Sequence, residues 1–212
     1  MIYYFDAMEQ FTDGLCDQYI DRLPLERQQK VRRYKRLIDQ KLSIISYLIL
    51  QHGLRREYGI DEQVHFGYKD NHKPYLLDYP HIHFNISHCE CCVAVAISCS
   101  EIGIDVQNMM DYDDKLASYV CSKQEMEQLT IADDPGILFI KYWTLKESYL
   151  KMKGTGVTDH MSNYDFSEAS TPGFEQFNLR FHILHHPQYI MSTCSVEHHL
   201  IMQPLRLMDF TS

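Results

Sequence analysis

One order of segments occurs twice along the 212 residues: a β-prone run, a long helical stretch, then a pair of alternating strand-like segments. Residues 1–8 carry the aromatic, β-prone pattern of a first strand. Residues 26–58 read as a helical region, unbroken or with one break, in which Leu42, Ile45, Ile49 and Leu50 repeat at helical spacing, with Gly53 or Gly59 as a stop. Pro24 suits the entry of that helical region. A short strand is expected at 64–68, and residues 83–87 and 91–98 read as a hairpin. The second round runs through a strand at 102–106, helices at 115–129 and 137–153, and strand-like runs at 177–184 and 189–196. No low-complexity linker and no fixed-period repeat interrupts the chain. The expectation is an α+β protein of two similar halves that meet near residue 100, an N-terminal half over 1–100 and a C-terminal half over 101–212.

The composition, 45% hydrophobic and 23% charged, is that of a folded globular chain. The uncharged run at 42–50 is far shorter than the roughly 20 residues a membrane-spanning helix needs. The first eleven residues have neither the basic start nor the cleavage pattern of a signal peptide. Seven cysteines, an odd number without regular spacing, fit reduced thiols, so a cytoplasmic protein without a membrane role is expected. A net charge of −9 argues against a nucleic-acid partner. The charge is uneven, however. Residues 22–41 hold eight Lys or Arg against Glu26 and Asp39, a net +6, which points to a local anionic ligand or to a solvated helix face.

Three elements carry chemistry-bearing groups. In WTLKESYLK (143–151), Glu147 and Lys151 lie one helical turn apart beside Thr144 and Ser148, and Trp143 falls on an apolar stripe with Phe139 and Leu150 that suits a core. In GIDVQ (103–107), Asp105 and Gln107 share the face of a strand opposite Ile104 and Val106, two oxygen-bearing groups suited to a hard cation. In FNISH (84–88), Ser87 and His88, with Lys73-Pro74 upstream, offer hydroxyl, imidazole and ammonium groups to phosphate oxygens. Each alone fits a bland reading: an exposed Glu–Lys pair, a turn-forming Asp, a hairpin end.

Together, in this order and spacing, Lys73-Pro74, FNISH, GIDVQ and WTLKESYLK resemble the Sfp-type 4′-phosphopantetheinyl transferases over about residues 20–165. The resemblance implies two α+β halves related by pseudo-twofold symmetry, with coenzyme A as co-substrate between them. It further implies transfer of 4′-phosphopantetheine to a serine of an acyl or peptidyl carrier protein, with release of 3′,5′-ADP. By that resemblance Asp105 and Glu147 hold Mg²⁺, Glu147 accepts the serine proton, and Lys151 neutralises the pyrophosphate. Lys73, Ser87 and His88 fall at phosphate-binding positions, and Arg27 and Lys30 at positions that hold the 3′-phosphate end.

Two departures accompany it. The third metal-side position is Gln107, an amide and a weaker Mg²⁺ ligand than a carboxylate, which water can replace. Leu42 stands where some relatives carry a coenzyme-contacting Arg. One polypeptide would form the whole site, so a monomer is expected. The alternatives are a metal-dependent coenzyme A or nucleotide hydrolase using the same carboxylates, and a coenzyme A-binding module that has lost catalysis. The segment of Cys89, Cys91 and Cys92 with His81, His83 and His88 lacks a second paired spacing for zinc and reads as small buried hydrophobes. His185-His186 and His198-His199 read as loop or surface residues, and Gly154-Thr155-Gly156 as a helix cap and turn.

Overall fold

The computed structural model describes residues 1–156, 160–197 and 200–211; His198 and His199 lie outside them. After strand β1 (Ile2–Phe5) come two short helices, α1 (Asp13–Ile20) and α2 (Leu25–Arg32), then the long helix α3 (Leu37–Tyr58). Thr12 caps α1 by accepting from the Leu15 amide, and α3 stops at Gly59, whose φ of +67° is the left-handed conformation glycine adopts without strain. The helical region expected over 26–58, unbroken or with one break, is thus two helices. Residues 33–36 hold three cations, Arg32 and Arg36 would repel one helical turn apart, and Val31 is the only buried side chain of α2.

Strands β2 (Phe66–Tyr68) and β3 (Pro74–Leu76) make a small separate hairpin, followed by β4 (His83–Cys89) and β5 (Cys92–Ser98). The second half repeats the plan: β6 (Ile102–Asn108), short helices α4 (Asp114–Val120) and α5 (Lys123–Ile131), long helix α6 (Pro135–Lys153), then β7 (Gly173–Gln176), β8 (Leu179–His186) and β9 (Tyr189–Ser195). The helix expected over 115–129 divides at Ser122, which caps α5 in a reciprocal box with Glu125. His185 and His186 end β8, where the His186 ring stacks on Tyr189.

With β10 at Met202–Pro204, the two main sheets run β10-β1-β5-β4 and β6-β9-β8-β7. In the first, β5 lies antiparallel to both β1 and β4; in the second, β9 lies antiparallel to both β6 and β8. The order strand, short helices, long helix, hairpin is thus common to both halves. Helix α3 buries Ile45, Ile49 and Leu50 with Val93 and Val95 of its sheet, and α6 buries Phe139, Leu145 and Leu150 with Ile190 and Cys194. Beyond β9 the chain returns to the first half. Strand β10 (Met202–Pro204) pairs parallel with β1, and Phe210 of the short helix α7 (Leu207–Thr211) packs edge-on against Phe5.

The sheets meet where β4, the edge of one, runs beside β6, the edge of the other. Side chains bridge the two strands: Asn85 Oδ1 accepts from the Ile104 amide (3.1 Å) and Ser87 Oγ from the Val106 amide (3.2 Å). Ile2, Cys92 and Ala94 of the first sheet pack against Ile104, Val106 and Tyr189 of the second in a core shared by both halves. Helix α6 comes unusually close to β6 at Gly103, where a Cβ would sit 1.9 Å from the Ser148 carbonyl oxygen. Only glycine permits that approach. It sets the face of α6 bearing Glu147 and Lys151 against the strand bearing Asp105.

Candidate active site at the seam between the halves

Asp105 is buried on β6, at 5% exposure. Its Oδ1 accepts from Ser87 Oγ (2.9 Å) on β4 and from Lys151 Nζ (2.6 Å) on α6, and Lys151 Nζ also donates to Ser87 Oγ (2.9 Å). Three segments that lie far apart in sequence thus close on one carboxylate. Glu147, one turn before Lys151, is buried as well. Burial and the neighbouring Asp105 carboxylate push the Glu147 pKa up, and Lys151 offsets part of that shift.

One oxygen of each carboxylate, Asp105 Oδ2 and Glu147 Oε1, is buried without a hydrogen-bond partner. Such atoms are costly unless something completes them. Two unsatisfied carboxylate oxygens at one seam fit a hard divalent cation of the kind that takes one or two carboxylates and fills its shell with water and phosphate oxygens. Gln107, on the same face of β6 as Asp105, is half-buried. Among the described residues no cluster of three or more His, Cys, Asp or Glu side chains is arranged to hold a metal, so such an ion would rest on this pair of carboxylates.

Beside the seam lies a hollow of about 220 Å³ lined by Arg27, Lys30, Tyr47, Phe66, Pro74 and His88. A neighbouring hollow of about 230 Å³ shares His72, Pro74 and Ile86 with it and is lined by Lys73 and Lys151. The Arg27 guanidinium lies over the Tyr47 and Phe66 rings, each 5.5 Å away, and donates to the Ser43 carbonyl (3.3 Å), while its buried Nε has no partner. Among the described residues no carboxylate pairs with Arg27 or Lys30, and desolvation lowers both pKa values. Desolvation, then Lys151, lowers the His88 pKa, which favours the neutral ring. The groove therefore runs from two uncompensated cations to Lys151 and the carboxylates, an arrangement suited to a ligand carrying several phosphates.

Several other cations of the basic segment are spent elsewhere: Arg32 pairs with Asp21 (2.8 Å), Arg36 with Glu90, and Lys41 with Asp13 (2.6 Å). Leu42 is buried in the first core, and Lys41 turns to Asp13. Lys73 lies apart from Ser87 and Asp105 in its bonding, engaged instead with Glu101 (2.6 Å) and the Met152 carbonyl (2.8 Å).

Trp143 is half-buried against the second core, and Tyr142 takes the fully buried place beside it. Cys89 and Cys92 are buried and Cys91 half-buried, donating to Asn108 Oδ1 (3.1 Å). Gly154, with φ of +73°, caps α6. Asn85 alternates with Ser87 on β4, which puts both on the bridging face, a signal the motif residues alone do not carry. Lys146 has no local sequence signal either; its fully buried ammonium pairs with buried Glu125 (2.7 Å) and anchors the back of α6.

Fold and site define a class: a two-half α+β protein that gathers carboxylates and cations at the seam between its halves. Residues 13–100 match a family model described as 4′-phosphopantetheinyl transferase, N-terminal, and residues 101–201 match the 4′-phosphopantetheinyl transferase superfamily. The chain is 28% identical over 148 residues to a 4′-phosphopantetheinyl transferase of Bacillus subtilis, covering 68% of this chain and 66% of the relative. It is 27% identical over 145 residues to 4′-phosphopantetheinyl transferase Sfp of Bacillus subtilis strain 168 (67% and 65%). To 4′-phosphopantetheinyl transferase gsp of Aneurinibacillus migulanus it is 29% identical over 180 residues (81% and 75%). The matches to the two Bacillus relatives span just under two thirds of their length. The chain belongs to the Sfp-type 4′-phosphopantetheinyl transferase family. No helix among its described residues is long and apolar enough to cross a membrane.

Proposed function

We propose that the protein transfers 4′-phosphopantetheine from coenzyme A to a serine of an acyl or peptidyl carrier protein, releasing 3′,5′-ADP. The observation that carries this reading is the pair of unsatisfied, buried carboxylate oxygens of Asp105 and Glu147 beside Lys151, at the end of a groove with uncompensated cations. Arg27 and Lys30 would take the 3′-phosphate end of coenzyme A, and Ser87, His88 and Lys151 its pyrophosphate. A Mg²⁺ ion held by Asp105 and Glu147, with Gln107 or a water beside them, would supply neutralisation of pyrophosphate charge.

The serine oxygen forms a bond to the phosphorus of phosphopantetheine as the phosphoanhydride bond to the ADP moiety breaks. Glu147 accepts the hydroxyl proton, and Lys151 meets the charge that develops on the leaving phosphate. Placement, rather than covalent chemistry by the protein, carries such a reaction. In this reading residues 1–100 supply the coenzyme A contacts and residues 101–212 the metal and proton-transfer groups. We place the protein in the cytoplasm as a monomer, supported by its odd number of free cysteines and by one chain bringing both halves to the site.

Intact-mass spectrometry of an apo carrier protein incubated with this chain, coenzyme A and Mg²⁺ tests the reading. A gain of one phosphopantetheine, lost with EDTA and in Glu147→Ala, is the expected result. Release of 3′,5′-ADP without a carrier would instead favour the hydrolase. Tight coenzyme A binding with no transfer under any divalent cation would favour the inactive binding module, for which the amide at Gln107 is the motive.

A further inference from the structure

We propose that in this chain Lys73, although it lines the hollow that reaches Lys151, serves as a positioning residue rather than a phosphate ligand: with Glu101 and Asn71 it straps the C-terminal turn of α6 to the first half and so holds Lys151 and Glu147 in place. The inference rests on the roles proposed above for those two side chains. Lys73 precedes β3, and only 12% of its side chain is exposed. Its Nζ donates to Glu101 Oε2 (2.6 Å), just ahead of β6, and to the Met152 carbonyl (2.8 Å) in the last turn of α6. Two residues earlier, Asn71 donates its side-chain amide to the Gly154 carbonyl and accepts from the Lys73 amide (3.1 Å). Lys73 and Asn71 thus satisfy two of the carbonyls a helix leaves open at its C-terminus, and the ammonium stands at the negative end of the helix dipole.

Glu101 is the hub of this strap. Lys69 Nζ (3.5 Å) and His83 Nδ1 (3.6 Å) face its other oxygen, so three basic groups from the first half converge on a carboxylate at the start of the second. Lys151 and Met152 are adjacent, so the carbonyl that Lys73 grips belongs to the residue next to the one that reaches Asp105. Lys151 is equally close to a carboxylate, but its bonds end on side chains, whereas Lys73 grips a backbone carbonyl of α6 as well as a carboxylate, so its ammonium joins two elements. The geometry assigns Lys73 to the helix.

The two roles predict opposite responses. Transfer kinetics at varied coenzyme A, with amide hydrogen exchange at the end of α6, are measured on wild type, Lys73→Met, Glu101→Gln, their double variant and Asn71→Ala. A strap predicts that Lys73→Met and Glu101→Gln each lower kcat on the order of ten-fold or more, with KM for coenzyme A within about two-fold. The double variant falls no further than the worse single one, since both cut one link. The Gly154 and Thr155 amides, which bond to the Leu150 carbonyl, exchange faster in all the variants, and Lys73→Arg restores both readouts in part.

A phosphate ligand predicts the reverse. Glu101→Gln would free Lys73 and lower KM, and Lys73→Met would raise KM with kcat unchanged; either result, or unchanged exchange, overturns the strap. Asn71→Ala removes two hydrogen bonds, to the Gly154 carbonyl and from the Lys73 amide, and no charge at an exposed residue, so it tests the strap even if a charge variant fails to fold. Wild type that transfers nothing would defeat the transferase reading alone, because the exchange measurement still decides the strap.

Discussion

Replacing Gly103 by alanine puts a methyl group where α6 and β6 touch. The new Cβ would lie 1.9 Å from the Ser148 carbonyl oxygen and 2.8 Å from the Met152 amide nitrogen, both backbone atoms that cannot rotate away. Relief to an ordinary contact of 3.4 Å requires α6 and β6 to part by about 1.5 Å. Overpacking of this kind costs about 2–3 kcal/mol, which for a chain of this size lowers Tm by roughly 5–10 °C. The functional effect should exceed the stability effect. A 1.5 Å shift stretches the 2.6 Å contact of Lys151 with Asp105 beyond hydrogen-bond range and parts Glu147 from Asp105. Misplacement by about 1 Å can cost about a hundred-fold in rate, so kcat should fall by about that factor at temperatures where the variant is fully folded. Calorimetry and carrier-protein mass analysis on the same sample check both numbers. A Gly103→Ala variant with wild-type Tm would refute the packing argument. One with lowered Tm but undiminished kcat would refute the claim that this contact sets the site.

In metal-free protein, Glu147→Gln should be more stable than wild type at pH 7 by about 1–3 kcal/mol, since it removes a partly unsatisfied buried carboxylate whose charged form burial and Asp105 disfavour. Because the folded-state pKa of Glu147 is raised, wild type regains that stability as pH falls through it; the gap should close toward pH 4, and a gap that widens would contradict the assignment. Adding Mg²⁺ should raise the Tm of wild type and not that of Glu147→Gln, as read by scanning fluorimetry. Lys30→Ala should weaken coenzyme A binding about ten-fold without changing Tm, and calorimetric titration with 3′-dephospho-coenzyme A should show no difference between variant and wild type. Lys146→Met leaves Glu125 charged and buried and should cost about 3–5 kcal/mol, much of it recovered when Glu125→Gln is added; denaturant unfolding of the single and double variants decides it.

How far these elements were legible follows from the range of the forces that form them. Periodicity placed α6, the β4–β5 hairpin and β6 within a few residues of their observed bounds, because alternation and helical spacing are local signals. The break between α2 and α3 is local too, yet apolar spacing alone passes over it, since it arises from repulsion among cations and not from a glycine or proline. Strand β10 was invisible: three residues become a strand only because the open edge of β1 accepts them.

The sequence by itself determined which chemical groups exist and in what order: Lys73-Pro74, FNISH, GIDVQ and WTLKESYLK, each on an element its own neighbours dictate. The tertiary structure alone decided which of those groups are free to act. Of the eight cations in 22–41, it pairs Arg32, Arg36 and Lys41 with carboxylates and leaves Arg27 and Lys30 lining the groove. It likewise turns Lys73 to Glu101 while Lys151 reaches Asp105. Ion pairing depends on which partner lies within a few ångströms, and these partners come from segments far apart along the chain, so spacing in sequence carries no record of it.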